Sequence, residues 1–377
     1  MIQRYLQATI EKWIFRKKIL LIYGARQVGK TTLAKSLLEK HGTQHGYYNC
    51  ELPSIAQLLT EEPSILKQEF GQHKLIVLDE AQFVQDIGRK LKIISDELPD
   101  LQVIATGSSS FDLAQKTSEP LTGRALTFLL YPLSYGELLQ KHRPVELKTK
   151  LGSMLRFGSY PELVNASAEE ARILLDDLAA RYLYKDVLMF ENLRRADVLH
   201  KLLQLLAHQV GSEVSTHELS KSLKINERTT ARYIDLLEKA FVIFSLSSLS
   251  GNLRKEIAKK KKIYFYDVGI RNSIVQQYQP IELRNDRGAL WENFLIVERM
   301  KLLGSQQRSP KQYFWRTHDQ QEIDYLEESD GSLSAYEFKW SAGKKKIPPA
   351  FAKTYPSATF HWIDQSNFTN FINSKSN

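Results

Sequence analysis

Short apolar runs alternate with helical patterns along the first third of the chain. Lys18 to Tyr23 is an apolar run that ends at a glycine-bearing loop, and Thr31 to Glu39 reads as a helix. Gly46 to Cys50, Leu75 to Leu78, Leu101 to Ala105 and Ala125 to Leu130 supply four more strand candidates. Continuous rather than alternating apolar runs, separated by helices, predict an α/β fold with parallel strands buried on both faces. In such sheets ligands collect at the carboxyl ends of the strands. Three polar clusters fall there: the loop after Tyr23, Asp79-Glu80, and Thr106-Gly107-Ser108.

The pattern then changes. Leu133 to about Arg195 reads as helical, punctuated by Pro132, Pro144 and Pro161. About Val198 to Ser250 reads as three helices and an apolar hairpin, followed by the basic stretch Lys259 to Lys262 and the run Ile263 to Tyr266. The last third predicts a helix over Gly288 to Leu303 and strands near Tyr313 to Arg316, Glu322 to Glu327 and Ser334 to Lys339, with a frayed tail from Asn373.

With 377 residues, two to four domains are expected. No apolar run is long enough to span a membrane, the first residues do not form a secretory leader, and the single cysteine, Cys50, precludes an internal disulfide framework. Together these fit a cytoplasmic protein with no membrane partner. The net charge of +9 suits an anionic partner, nucleic acid first, and equally suits a protein that is merely basic.

The loop Gly24-Ala25-Arg26-Gln27-Val28-Gly29-Lys30-Thr31-Thr32 carries the clearest chemistry. Glycines at this spacing let backbone N–H groups face phosphates, and the following helix adds its positive end. Lys30 would neutralise β- and γ-phosphate charge, and the Thr31 hydroxyl would ligate Mg2+. The pattern G-x-x-x-x-G-K-T arises by chance in about one chain in a hundred of this length. ATP with Mg2+ is the expected ligand, held by Gly24, Arg26, Gln27, Val28, Gly29, Lys30, Thr31 and Thr32. Asp79 at a strand end is placed to hold the same ion, and Glu80 to polarise an attacking water. Thr106 and Ser108 follow the next strand and could orient that water. Arg124 is a candidate arginine finger, within one subunit or across an interface, with a surface ion pair as the alternative and Arg26, Arg89 and Arg143 as competitors.

These segments, with Leu78-Asp79-Glu80-Ala81-Gln82, Thr106-Gly107-Ser108-Ser109, Gly123-Arg124, Tyr131-Pro132-Leu133-Ser134-Tyr135-Gly136-Glu137 and Phe157-Gly158-Ser159-Tyr160-Pro161-Glu162, resemble the archaeal and bacterial AAA-type ATPases that carry a C-terminal restriction-endonuclease-like domain. The resemblance runs over nearly the whole chain. It implies an AAA core over 1–135, a helical lid over 136–196, a winged helix over 197–255 and a restriction-endonuclease-like α/β domain over 256–377. A homo-oligomer is compatible with it.

Read alone, Ser215 to Glu238 has a helix-turn-helix shape. Ser215 and Glu218 form a capping box, Asn226 caps a second helix, and Leu219, Leu223, Ile225, Ile234 and Leu237 are the shared core. The second helix then exposes Arg228, Thr229 and Arg232, where a recognition helix would meet DNA. Such modules also serve as packing or coupling elements, and both readings stand at this level.

In the last third, Glu292 lies on a helix, Asp324 on a strand, and Glu337 and Lys339 share one face of the next strand. An E-x-K triplet alone is expected about once by chance in a chain this long. Preceded by two acids in this order, it matches the restriction-endonuclease-like pattern. Asp324 and Glu337 would then hold a second divalent ion, Mg2+ or Mn2+, and Lys339 would orient or deprotonate water. The alternative is a retained fold without cleavage. The histidines, among them His41, His45, His73 and His318, show no metal-ligand spacing.

The expected function is therefore an ATP-hydrolysing protein acting on DNA, with branched or damaged DNA a plausible substrate, whose C-terminal domain binds or cuts it. A regulatory switch with an inert nuclease-like fold and DNA or protein partners is the alternative. The helix-turn-helix and nuclease-like segments speak against a small-molecule kinase.

Overall fold

The computed structural model describes residues 2–41, 45–107, 121–181, 196–249, 261–317, 319–343 and 346–373. Ser108, His318 and the tail beyond Asn373 lie outside the described residues. The chain divides into two units, one of residues 1–133 with 239–241 and 304–307, the other of the remainder.

The first unit is built on a five-stranded sheet of β1 (Ile19–Tyr23), β2 (His45–Asn49), β3 (Leu75–Asp79), β4 (Gln102–Gly107) and β5 (Ala125–Leu129), in the order β2-β3-β4-β1-β5. All neighbours are parallel. Every residue of β1, β3 and β4 is buried, as the unbroken apolar runs predict for a sheet covered on both faces. The helix Lys30–His41 follows β1 and buries Leu33, Ala34, Leu37 and Leu38. The expected strands are all present. One difference bears on chemistry: β4 does not stop at Ala105. Thr106 pairs with Ile22 and Gly107 with Tyr23, so the ladder carries Thr106 into the sheet instead of leaving it in a loop.

The second unit opens with helices. Ser134 caps Tyr135–Leu139, accepting from the Glu137 N–H at 3.1 Å while its own N–H donates to the Glu137 carboxylate at 2.9 Å. The helices Pro144–Phe157 and Ala168–Arg181 follow. The Phe157-to-Glu162 motif serves packing. Gly158 has φ 77°, and an added Cβ would lie 1.8 Å from Asp267 Oδ1. Next to it, the Ser159 N–H donates to Asp267 Oδ2 at 2.9 Å, and Lys301 Nζ joins Ser159 Oγ at 3.0 Å to Glu298 Oε1 at 2.7 Å.

A seven-stranded mixed sheet forms the rest of its core. Its strands are β6 (Glu213–Val214), β7 (Ile243–Ser248), β8 (Lys261–Phe265), β9 (Lys311–Arg316), β10 (Glu322–Ser329), β11 (Ser332–Phe338) and β12 (Thr359–Ile363), in the order β12-β11-β10-β9-β7-β8-β6. β12 has no counterpart among the expected strands. The expected boundary at 255/256 separates β7 from β8 in sequence, yet the two pair from Ile243 with Phe265 to Ser247 with Lys261. β7 also pairs with β9. Backbone hydrogen bonding therefore joins the hairpin to the strands of the last third in one sheet. The helix Arg287–Ser305 contributes the fully buried Trp291 and Leu295 to this unit.

Candidate functional site

The first site forms at the carboxyl ends of β1, β3 and β4. Gly24 follows β1 with φ 153°, and a Cβ there would come 2.1 Å from the Leu130 carbonyl oxygen, so no larger residue fits. Val28 is fully buried and anchors the loop, while Gln27 and Thr32 are exposed and Arg26 is half-buried. Lys30 is buried, with Nζ donating to the carbonyls of Gly24 at 3.1 Å and Ala25 at 2.9 Å. Arg4 braces the loop from outside: Nη1 donates to Val28 O at 2.7 Å and Nη2 to Tyr131 O at 2.5 Å.

β4 lies between β1 and β3, so Thr106 stands between the loop and Asp79. Asp79 is buried and accepts three hydroxyl bonds, from Thr31 to Oδ2 at 2.8 Å, Tyr47 to Oδ2 at 2.6 Å and Thr106 to Oδ1 at 2.5 Å. The Thr106 oxygen also accepts from the Glu80 N–H at 2.9 Å. Glu80 has φ 51° and ψ 48°, a left-handed conformation uncommon for a residue with a side chain. Gln82 Nε2 donates to its carboxylate. The Thr31 hydroxyl and Asp79 carboxylate together are a hard-oxygen donor pair of the kind Mg2+ takes beside a triphosphate, so the residues fit that ion.

Tyr47 was not among the expected site residues. Burial, and then the Asp79 carboxylate, push its hydroxyl well above the ordinary tyrosine range, which keeps it a donor. Burial likewise pushes the Cys50 thiol up to about 12, so this cysteine is unreactive at neutral pH.

Arg124 departs from expectation. It immediately precedes β5, whose first residue, Ala125, pairs with Ile19 at the start of β1. The phosphate loop follows the other end of β1, roughly 17 Å away along a five-residue strand. Arg124 is exposed to solvent in part and forks onto Asp96, Nε to Oδ1 at 2.7 Å and Nη2 to Oδ2 at 3.2 Å. This placement at the far end of the strand from the phosphate loop, together with the Asp96 pair, matches the surface ion pair expected as the alternative. Of its competitors, Arg89 pairs with Glu61 at 3.2 Å. The Arg143 N–H donates to Glu146 at the start of its helix.

In the second unit Glu292 meets a cation that the sequence did not single out, while Glu337 pairs with Lys339. Lys262, on β8, is 1% exposed. Its Nζ lies 3.0 Å from Glu292 Oε1 and is ion-paired to Glu322, which also faces Arg316 at 3.6 Å. Tyr264 Oη donates to the same Glu292 oxygen at 2.5 Å. The Asp324 Oδ2 accepts from the Phe338 N–H at 2.8 Å. Burial, and then Glu292 and Glu337, push its carboxyl well above the ordinary range. Lys339 Nζ donates to Glu337 Oε1 at 2.6 Å, so the expected shared face is real. Among the described residues, however, no three His, Cys, Asp or Glu side chains form a group able to hold a metal ion. The expected metal pair Asp324 and Glu337 lie close enough to raise the Asp324 carboxyl, and the second Glu337 oxygen is buried without a hydrogen-bond partner among the described residues.

The helices Thr216–Leu223 and Glu227–Lys239 bracket the turn at Lys224 and Ile225. Ser215 Oγ accepts from the Glu218 N–H at 3.3 Å, and Asn226 Oδ1 from the Thr229 N–H at 2.7 Å. Leu219, Leu223, Ile234 and Leu237 are buried, and Ile225 half-buried. Arg228 and Arg232 are exposed and Thr229 is half-buried.

Residues 16–139 match the family model described as AAA domain, which supports an AAA-type P-loop fold for this segment. Residues 148–280 and 287–364 match two domains of unknown function, DUF8612 and DUF4143. The chain is similar to the uncharacterized protein Rv2008c of Mycobacterium tuberculosis, at 28% identity over 335 residues, 88% of this chain and 72% of that protein. It is also similar to the uncharacterized protein MJ1637 of Methanocaldococcus jannaschii, at 26% identity over 71% of this chain and 65% of that protein. Among solved structures, it resembles the Thermotoga maritima RuvB Holliday junction branch migration motor, at 18% identity and TM-score 0.29 over 63% of this chain and 86% of that one. AMPPCP-bound DnaA from Aquifex aeolicus is similar at 16% identity and TM-score 0.27, over 59% and 82%. Structural likeness at this level carries nothing about function. No helix among the described residues is long and apolar enough to cross a membrane.

Proposed function

We propose that this protein hydrolyses ATP and uses the nucleotide state as a switch in an activity directed at DNA. The observation that carries the hydrolytic reading is the Asp79 constellation. Thr31, Asp79 and Thr106 are joined by direct hydrogen bonds beside the phosphate loop, and Thr106 also holds the Glu80 backbone. Mg2+, held by the Thr31 hydroxyl and Asp79, would supply positive charge beside the phosphates. Lys30 would exchange the Gly24 and Ala25 carbonyls for phosphate oxygens, and Glu80 would polarise the attacking water.

DNA as the target is supported by the net charge of +9 and by Arg228 and Arg232, exposed on the second helix of a pair read as a winged helix. Steady-state ATP turnover with and without DNA, with Lys30→Ala as blank, tests the proposal. DNA-stimulated turnover that disappears in Lys30→Ala is expected, and turnover indifferent to every nucleic acid would redirect the switch to a protein partner.

The last third is read as a restriction-endonuclease-like fold. Lys262 among the carboxylates, paired with Glu292 and Glu322, favours the non-cleaving reading. Magnesium- or manganese-dependent cutting of plasmid or junction DNA that is lost in Asp324→Ala would restore the cleaving one.

A further inference from the structure

Four carboxylates, Glu292, Glu322, Asp324 and Glu337, come together in the second unit against the cations Lys262, Lys339 and Arg316. Lys339 is over half exposed and Arg316 about a quarter exposed. Lys262 is different. Its side chain is 2% exposed, and its Nζ lies over the Phe314 ring, 5.5 Å from the centroid. An ammonium has three donors and no acceptor. Here two of its contacts are carboxylates from different elements, Glu292 on the helix Arg287–Ser305 and Glu322 on β10. A divalent ion in the same place would need oxygen ligands at about 2.0–2.6 Å and would meet the ammonium's like charge.

We propose that Lys262 is the resident cation of this carboxylate cluster, holding Glu292 and Glu322 by charge in place of a divalent metal. Lys262 comes from β8, in the hairpin that precedes the Glu292, Asp324, Glu337 and Lys339 set. The hairpin therefore completes the charge balance of the cluster, which a fragment beginning after it would lack. The assignment stands whether or not the first unit hydrolyses ATP.

The experiment uses the full chain without nucleotide, in an Asp79→Asn background that removes the other divalent-ion ligand. Mn2+ is the probe, its binding counted from the loss of the free-ion electron paramagnetic resonance signal and its effect read as a shift in melting temperature. The parent chain is expected to bind no Mn2+ at the cluster and to show no shift. Lys262→Met is expected to melt roughly 5–15 °C lower, because it leaves buried carboxylates without their counter-charge. It should then gain one Mn2+ site that restores part of the loss. If Lys262→Met does not fold, Lys262→Met with Glu292→Gln is made, and recovery of folding supports the charge assignment. Three results overturn it: Mn2+ bound by the parent chain and released by Asp324→Ala, a Lys262→Met chain as stable as the parent with no Mn2+ site, or a double variant that also fails to fold. Loss of ATP turnover in the chain without Asp79→Asn would bear on the proposed switch and leave this result untouched.

Discussion

The hydroxyl of Thr106 donates to Asp79 Oδ1 at 2.5 Å while its oxygen accepts the Glu80 N–H at 2.9 Å. One fully buried side chain thus sets both the ion-binding carboxylate and the backbone of the residue that would polarise water. This is possible because β4 is inserted between β1 and β3 and continues far enough to carry Thr106 to their carboxyl ends. Thr106→Val keeps the volume and removes both bonds. Leaving a buried acceptor unpaired costs about 1–3 kcal/mol, so kcat for ATP is expected to fall about tenfold or more with a smaller change in nucleotide affinity. Turnover and fluorescent-nucleotide binding measured side by side check this, and an affinity loss without a kcat loss would contradict it.

Tyr47 supplies the third hydroxyl on Asp79. In Tyr47→Phe the nucleotide-free protein is expected to lose about 1 kcal/mol, the usual worth of one such bond. Saturating Mg2+ and ATP should erase the difference, because the carboxylate then has other partners. Melting curves with and without Mg-ATP separate the two states.

Arg124 and Asp96 form an exposed pair at the amino end of the sheet. Arg124→Ala is expected to leave stability nearly unchanged, since pairs of this exposure contribute little. Turnover at high dilution should also be unchanged. A defect that grows with protein concentration would identify Arg124 as a finger supplied to a neighbouring copy. A defect equal at all concentrations would contradict its placement.

Asp286 predicts an acid limb in the stability of the second unit. Although burial works against it, Arg284 and then Arg271 hold its carboxyl down at about 2. Both arginines contact Oδ2, at 2.8 and 2.6 Å. A carboxylate whose folded value lies below its unfolded value stabilises the fold above the unfolded value, and that contribution is lost as pH falls through the folded one. Stability worth about 2 kcal/mol is therefore expected to be complete above about pH 4 and to drain away toward pH 2. Urea titrations across this window should show the loss in the parent chain and a flatter limb in Asp286→Asn, whose two buried arginines keep their other acceptors but lose their counter-charge.

Strand existence and the phosphate loop were legible because they are local. Glycines, a lysine and a threonine within eight residues determine how the backbone turns and what the following helix presents, and an unbroken apolar run is enough to mark a doubly covered strand. The helix caps at Ser215 and Asn226 were legible for the same reason, as each acts three residues away. β12, with polar residues interleaved among its apolar ones, lacked that pattern.

By itself, then, the sequence determined the nucleotide cradle, the five strands beneath it and the residue types of both charged sites. Only the tertiary structure decided which of those residues meet. Strand order brings Thr106 and Tyr47 to Asp79 and consigns Arg124 to the far end of the same sheet. Pairing across residues 249–261 places Lys262 within reach of Glu292, thirty positions along the chain, and of Glu322 beyond it. Such partners depend on register and on which strands become neighbours, and those are settled by packing many distant side chains at once, which no local spacing encodes.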